Sequence, residues 1–151
     1  MDHIVFNAAN GQTSIIPFTA EEIAAHNASL PDPKIALLTY AYQKRRDVID
    51  AGMVVTIGQT AVPVWTDSES RSSMQELMLA AQLDPQIATT WKGRDGNFYP
   101  LDAAGIQTMA LAALSFVQQA FATEAEIVSA INSGVITTTN QINGGNWPSN
   151  N

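Results

Sequence analysis

A chain of 151 residues is long enough for one domain with a real core and short for two. It contains no cysteine, which removes disulfides and thiolate metal sites, and its net charge of −7 argues against a nucleic-acid backbone as partner. Only 14% of its residues are charged, against about 25% in an average domain. Such a surface has little electrostatic protection from its neighbours and suits a protein that works at high density in an assembly.

The opening MDHIVFNAANGQ lacks the basic and apolar regions of a signal peptide. The most apolar run, Met109 to Phe121, is broken by Ser115, Gln118 and Gln119, too short and polar to span a bilayer. A soluble protein without membrane insertion is expected.

In chain order, HIVFN (His3 to Asn7) and SIIPF (Ser14 to Phe18) predict a small hairpin around Asn10-Gly11, with Pro17 on an edge. Thr19 and Glu22 form a capping box that opens a short helix to about Ala28. Ser29 to Pro33 reads as a linker, making residues 1–30 an N-terminal arm. A helix from Lys34 to Ala51 follows, with Ile35, Leu38, Tyr42 and Ile49 in helical spacing, Arg45 in the gap of that row, and Gly52 as its stop. The runs MVVTI and TAVPVW (Met53 to Trp65) predict a hairpin turning at Gly58-Gln59.

Thr66 and Glu69 read as a second capping box, starting a helix to about Leu83 that buries Met74, Leu77, Met78 and Ala81. A second body hairpin, Ile87 to Lys92 and Asn97 to Leu101, turns at Gly93 to Gly96. Asp102 caps a last helix of about 30 residues, reaching Ser133 and roughly 45 Å long. Its stripe is Ile106, Met109, Ala113, Phe116, Ala120, Ile127 and Ile131, widened by Leu111, Leu114, Val117, Phe121 and Val128. A stripe that wide implies burial on more than one side, as in a bundle or oligomer. The fold class is α+β: two short β-hairpins packed with three main helices, plus the small N-terminal hairpin and helix. Residues 34–134 form the body and residues 135–151 an extended polar C-terminal tail, with Trp147 as its anchor.

Catalytic constellations are not evident. His3 and His26 stand without a second ligand at metal spacing, and no nucleophile elbow is present. Asp67 to Arg71 reads as helix-start chemistry, Gly93 to Gly96 as a turn, and Lys44 to Arg46 as a solvated face balanced by Asp47 and Asp50. Glu124 and Glu126, two apart on a helix, cannot pair as acid and base. Trp65 and Trp91 are expected in the core. No catalytic, metal or cofactor residues are assigned. The candidate residues are partner-binding ones: Trp147 in the tail, Val54 and Val62 on the apolar hairpin, and Val117 and Phe121 on the long helix.

The order of motifs is more specific than any one of them. R-R-D-x-I-D-A-G (Arg45 to Gly52) precedes V-x-T-D-x-x-S-R (Val64 to Arg71), then W-K-x-x-D-G-x-F-x-x-L-D-A (Trp91 to Ala103) and Q-x-x-F-A-x-E-A-E-I (Gln118 to Ile127). Over about residues 34–133 this series resembles a domain-of-unknown-function family of tailed-bacteriophage proteins, encoded among tail and tail-fibre genes. P-x-T-x-E-E-I (Pro17 to Ile23) is similar to leaders that precede the domain. The chain departs from the family in its apolar hairpin, MVVTIGQTAVPVW, and in having Ala120 where a Cys often precedes Phe.

The resemblance implies a non-enzymatic structural or accessory protein of the tail, at the baseplate or tail-fibre attachment. Expected partners are tail, tail-fibre or baseplate proteins and further copies of the chain, in the virion or, during assembly, in the host cytoplasm. A tail-fibre assembly chaperone that leaves before maturation is the alternative. A glycan-active enzyme is the third reading and would need a carboxylate pair across a cleft.

Overall fold

The computed structural model describes residues 2–7, 11–29 and 32–151, in two units, Met1–Ile35 and Ala36–Asn151. Asn10 of the expected turn and Leu30 and Pro31 of the expected linker lie outside the described residues.

In the first unit, β1 (Asp2–Asn7) pairs antiparallel with β2 (Gln12–Pro17), placing Ile4 opposite Ile15 and Phe6 opposite Thr13. Pro17 ends the ladder, where its missing N–H costs least. The helix α1 (Ala20–Ser29) begins with the expected capping box: Glu22 N–H donates to Thr19 Oγ1 at 3.2 Å, and Thr19 N–H donates to Glu22 Oε2 at 2.8 Å.

The second unit is built on α2 (Pro33–Asp50), whose first turn crosses the unit boundary. It starts with Pro33, one residue earlier than expected, because Asp32 Oδ1 accepts from Lys34 N–H at 2.8 Å and Pro suits a first helical position. The expected face holds in part: Ile49 is buried and Leu38 half-buried, whereas Ile35 and Tyr42 are exposed and Ala41 and Val48 are buried instead. Gly52, at φ 75°, ends the helix as expected. A Cβ there would collide with the carbonyl oxygen of Val64, so glycine is required for space as well as for conformation.

The strands β3 (Met53–Ile57) and β4 (Thr60–Val64) form a hairpin with Val55 opposite Val62 and Met53 opposite Val64. Strand alternation turns Val55, Val62 and Val64 inward. The expected second capping box is shifted by one residue. Asp67, not Thr66, caps α3 (Ser68–Leu83), accepting from the N–H groups of Glu69 and Ser70 at 2.9 and 3.0 Å. Thr66 is fully buried and donates its hydroxyl proton to the carbonyl of Ile49 at 2.5 Å, joining Gly52 N–H as a second donor to that carbonyl at the end of α2.

A third hairpin joins β5 (Ala88–Lys92) to β6 (Phe98–Asp102), and among the described residues the three sheets are separate two-stranded ladders. Asp102 then caps α4 (Ala103–Asn132), accepting from Gly105 N–H at 2.8 Å. All seven residues of the expected stripe are buried, with Gly105, Val117 and Thr123 added. Met74, Ile106 and Met109 join the hairpin valines in one cluster; Val48, Ile49, Phe116, Val117 and Ala120 make another. Full burial of such a side chain contributes roughly 1.5–3 kcal/mol, so α4 is the spine on which the other elements gain stability. The architecture is α+β, as the patterning indicates.

The C-terminal tail is not extended. It contains a short helix, α5 (Thr139–Asn143), started by a capping box between Thr138 and Gln141, and buries Ile142 with Ala41, Ile127 and Ile131. The polar composition that predicts a loose tail is used instead on specific carbonyls and caps.

Candidate functional site

The expected partner-binding residues are not brought together. Val54 and Val62 lie on opposite faces of one hairpin, since Val54 pairs with Pro63 while Val62 pairs with Val55. Val62 is 1% exposed and is a core residue, and Val117, 6% exposed, is buried between α2 and α4 residues. The inward alternation of β4 and the packing of α2 on α4 leave both nearly without exposed surface, although Val117 also lines a groove between α3 and α4. Val54 remains half-buried on the outer hairpin face.

Trp147 is held by its own chain. Its indole packs against two core clusters and its Nε1–H donates to the carbonyl of Ile142 at 2.8 Å. The tail around it is secured at further points. Thr123 Oγ1–H donates to Asn146 O at 2.8 Å, and Tyr40 O–H donates to Asn143 Oδ1 at 3.0 Å. Asn150 Nδ2–H donates to the carbonyls of Val48 and Gly52. Arg94, in the β5–β6 turn, donates from Nη1 to Ala51 O at 2.5 Å and from Nη2 to Asn150 O at 3.2 Å. A guanidinium at the C-terminal end of α2 complements the negative end of the helix dipole. The sequence reading missed this role because Arg94 reaches a carbonyl 43 residues away.

Phe121 keeps an exposed edge, but its ring face is covered. Arg45 lies over it, with Cζ 4.1 Å from the ring centroid and 5.0 Å from that of Tyr42. Arg45 Nε–H donates to Glu124 Oε2 at 2.6 Å, with the two side chains 11% and 17% exposed. Thus Arg45 does not belong to a solvated basic face. Its place in the gap of an apolar row was the available signal, because an arginine there needs a buried carboxylate or a ring to sit on.

The tryptophans divide. Trp91 packs against the main core cluster, with its indole N–H buried and without a hydrogen-bond partner among the described residues, whereas Trp65 is exposed at the end of β4. The shifted titratable groups belong to caps and turns. At Asp67, burial pushes the carboxyl up, but hydrogen bonds from Ser70 N–H, the Ser70 hydroxyl and Glu69 N–H outweigh it and hold it below the usual value. The Tyr99 hydroxyl donates to Asp95 at 2.7 Å, which lowers the acid and raises the phenol within the β5–β6 hairpin.

Two surfaces stand out instead. Ile4, Val5, Phe6, Ile15 and Ile16 of the N-terminal hairpin are all exposed, and α1 buries no residue. In the body, a groove of about 390 Å³ runs between α3 and α4, lined by Arg71, Met74, Met78, Leu111 and Leu114 among others, with no carboxylate. A second, more open groove contains one carboxylate, Asp102, already used as the α4 cap. Among the described residues, no three His, Asp or Glu side chains converge as a metal-ligand set, and no helix is long and apolar enough to cross a membrane.

The model of one protein family, described as a domain of unknown function (DUF4376), matches residues 32–143. No curated protein and no solved structure matches the chain.

Proposed function

The chain belongs to the DUF4376 family, and on that premise we propose that it is a non-enzymatic component of a bacteriophage tail, docking to another tail protein through its N-terminal arm. The observation that carries the docking part is the hairpin β1–β2. An isolated two-stranded hairpin is at best marginally stable in water. This one exposes Ile4, Phe6 and Ile15 on one face and Val5 and Ile16 on the other. Adjacent exposed apolar residues on a strand pair mark a surface meant to be covered, and unpaired strand edges offer backbone donors and acceptors to an added strand.

The tail context is supported by the ordered motifs from Arg45 to Ile127 and by the leader-like Pro17 to Ile23, which resemble phage tail proteins. The low charge content fits a crowded assembly. The body, with its long clamped helix, serves as the rigid element that the arm tethers.

The test is the full chain carrying Ile4→Asp and Ile15→Asp, a cross-strand pair on one hairpin face. A tagged wild-type chain should capture a phage tail protein from an infected lysate, and the double variant should lose it while the body melts at an unchanged temperature. Mass spectrometry of purified particles then separates two fates. Retention marks a virion component; absence, with capture of fibre subunits from the lysate, marks an assembly chaperone. Equal capture by wild type and variant would sink the arm as the docking element.

A further inference from the structure

We propose that the outer face of α4 is a homodimer interface, in which two copies of this chain pack their long helices antiparallel about a two-fold axis. From Ala103 to Thr123 the helix contains no charged residue on any face. A surface helix normally places charges on its solvent side. Here that side presents Leu111, Leu114 and Phe121, which are 56, 51 and 48% exposed. With Ala104, Gln107 and Gln118 they follow alternating steps of three and four residues, the spacing of a coiled-coil seam. The buried stripe occupies the opposite side of the same helix, so the seam is surplus to the chain's own core.

Two features identify a second copy as the occupant. The first is charge. A chain of net charge −7 repels its own copies over most of its surface. The neutral strip is long, roughly 30 Å, against a screening length of about 10 Å at 0.1 M salt. Copies meeting along it therefore keep their acids from direct apposition.

The second is self-complementarity. Antiparallel apposition of Ala103–Ala122 against itself sets Leu111 against Leu114, Gln107 against Gln118 and Ala104 against Phe121, each pair occurring twice by symmetry. Leucine meets leucine, amide meets amide, and the bulky ring meets the smallest side chain. Asp102 and Glu124 meet only at the two ends of this overlap, where Arg45 already neutralises Glu124. Such a contact is isologous and closed. The groove between α3 and α4, which Leu111 and Leu114 line, adds depth beside the seam for the leucines of the second copy. One helix and its flank make a contact smaller than the roughly 800 Å² per partner of a standard interface, so a weak dimer with a dissociation constant on the order of micromolar is expected.

The interface is independent of what the arm binds. Sedimentation of the full chain from about 1 to 100 µM, spanning the micromolar range, should show a monomer–dimer equilibrium. Leu111→Glu with Leu114→Glu should weaken it at least tenfold, with an unchanged circular dichroism spectrum. Gln119→Glu, which adds a negative charge to the same helix off the seam, should leave it intact.

Because the chain has no cysteine, register can be read directly. An equimolar mixture of Gln107→Cys and Gln118→Cys chains should cross-link with a short bis-maleimide. Either variant alone should not, since like positions lie roughly 16 Å apart along the axis. A wild-type chain monomeric at the highest concentration, dimers that survive the double glutamate variant in its folded state, or self-linking of each cysteine variant would overturn the proposal. Should the glutamate variant not fold, the cysteine pair decides.

Discussion

Replacing Arg45 by methionine isolates the polar contact that joins α2 to α4. Arg45 and Glu124 meet at 2.6 Å, and their side chains are 11% and 17% exposed. At an effective dielectric near 20, that separation corresponds to a gross attraction of about 6 kcal/mol. Desolvation of the two ions offsets most of it, so the intact pair contributes little net stability. Breaking it from one side is different. Arg45→Met retains much of the stem's packing on Phe121 and Tyr42 but leaves Glu124 mostly buried without its cation. We expect a loss of about 3 kcal/mol.

For a unit the size of Ala36–Asn151, that loss lowers the melting temperature by roughly 12 °C, using about 2.1 cal/mol/K per residue. Glu124→Leu alone should cost about 2 kcal/mol. The double variant should recover to within about 1 kcal/mol of wild type, a coupling well above the few tenths seen for independent sites. Thermal melts of the four proteins by circular dichroism measure the cycle. A shift below about 3 °C for Arg45→Met, or additive single effects, would refute a buried, mutually dependent pair.

Three further outcomes follow from the geometry. Gly52→Ala should cost at least about 3 kcal/mol, combining left-handed strain with a backbone collision, and appear as insoluble or unfolded protein. Gly58→Ala, at φ 62° with open space around it, should cost only about 1–2 kcal/mol by urea titration. Trp147→Ala should lower stability by about 2–3 kcal/mol, since the indole packs on the core and supports Ile142. An unchanged urea midpoint would return the residue to the role of partner anchor.

Asp67→Asn should weaken the α3 cap, with a pH signature. The carboxyl is held below its ordinary value in the fold, so its contribution is fully present above the unfolded aspartate value near 4. It is lost as pH falls through the lowered folded value. Wild type should therefore lose stability towards the variant in acid melts below about pH 4. Parallel acid limbs for the two proteins would contradict the assignment.

Much of the fold was legible because local rules and tertiary packing agree. The stripe of α4, the Gly58-Gln59 turn, the Thr19–Glu22 box and the Gly52 stop each depend on a short periodicity or a single backbone requirement. Local chemistry misleads where a distant group competes for the same side chain. Thr66 looks like a cap, but a buried carbonyl 17 residues earlier takes its hydroxyl and leaves the stronger acceptor, Asp67, to start α3. The candidate surface was harder to locate. Val62 and Val117 are as apolar as Val54 and Leu114, and composition does not say which of them the fold consumes.

The sequence by itself determined the kinds of element and their order, because period, capping chemistry and glycine placement act over a few residues. It also determined that α4 carries more apolar surface than one face can bury. Only the tertiary structure decided how that surplus is divided. Packing of α2, α3 and the β3–β4 hairpin takes one side of α4 and leaves Leu111, Leu114 and an edge of Phe121 in solvent. Long-range donors from Arg94, Thr123 and Asn150 convert a polar tail into an ordered strap. Those donors act across tens of residues of chain, a distance over which sequence spacing carries no geometric information.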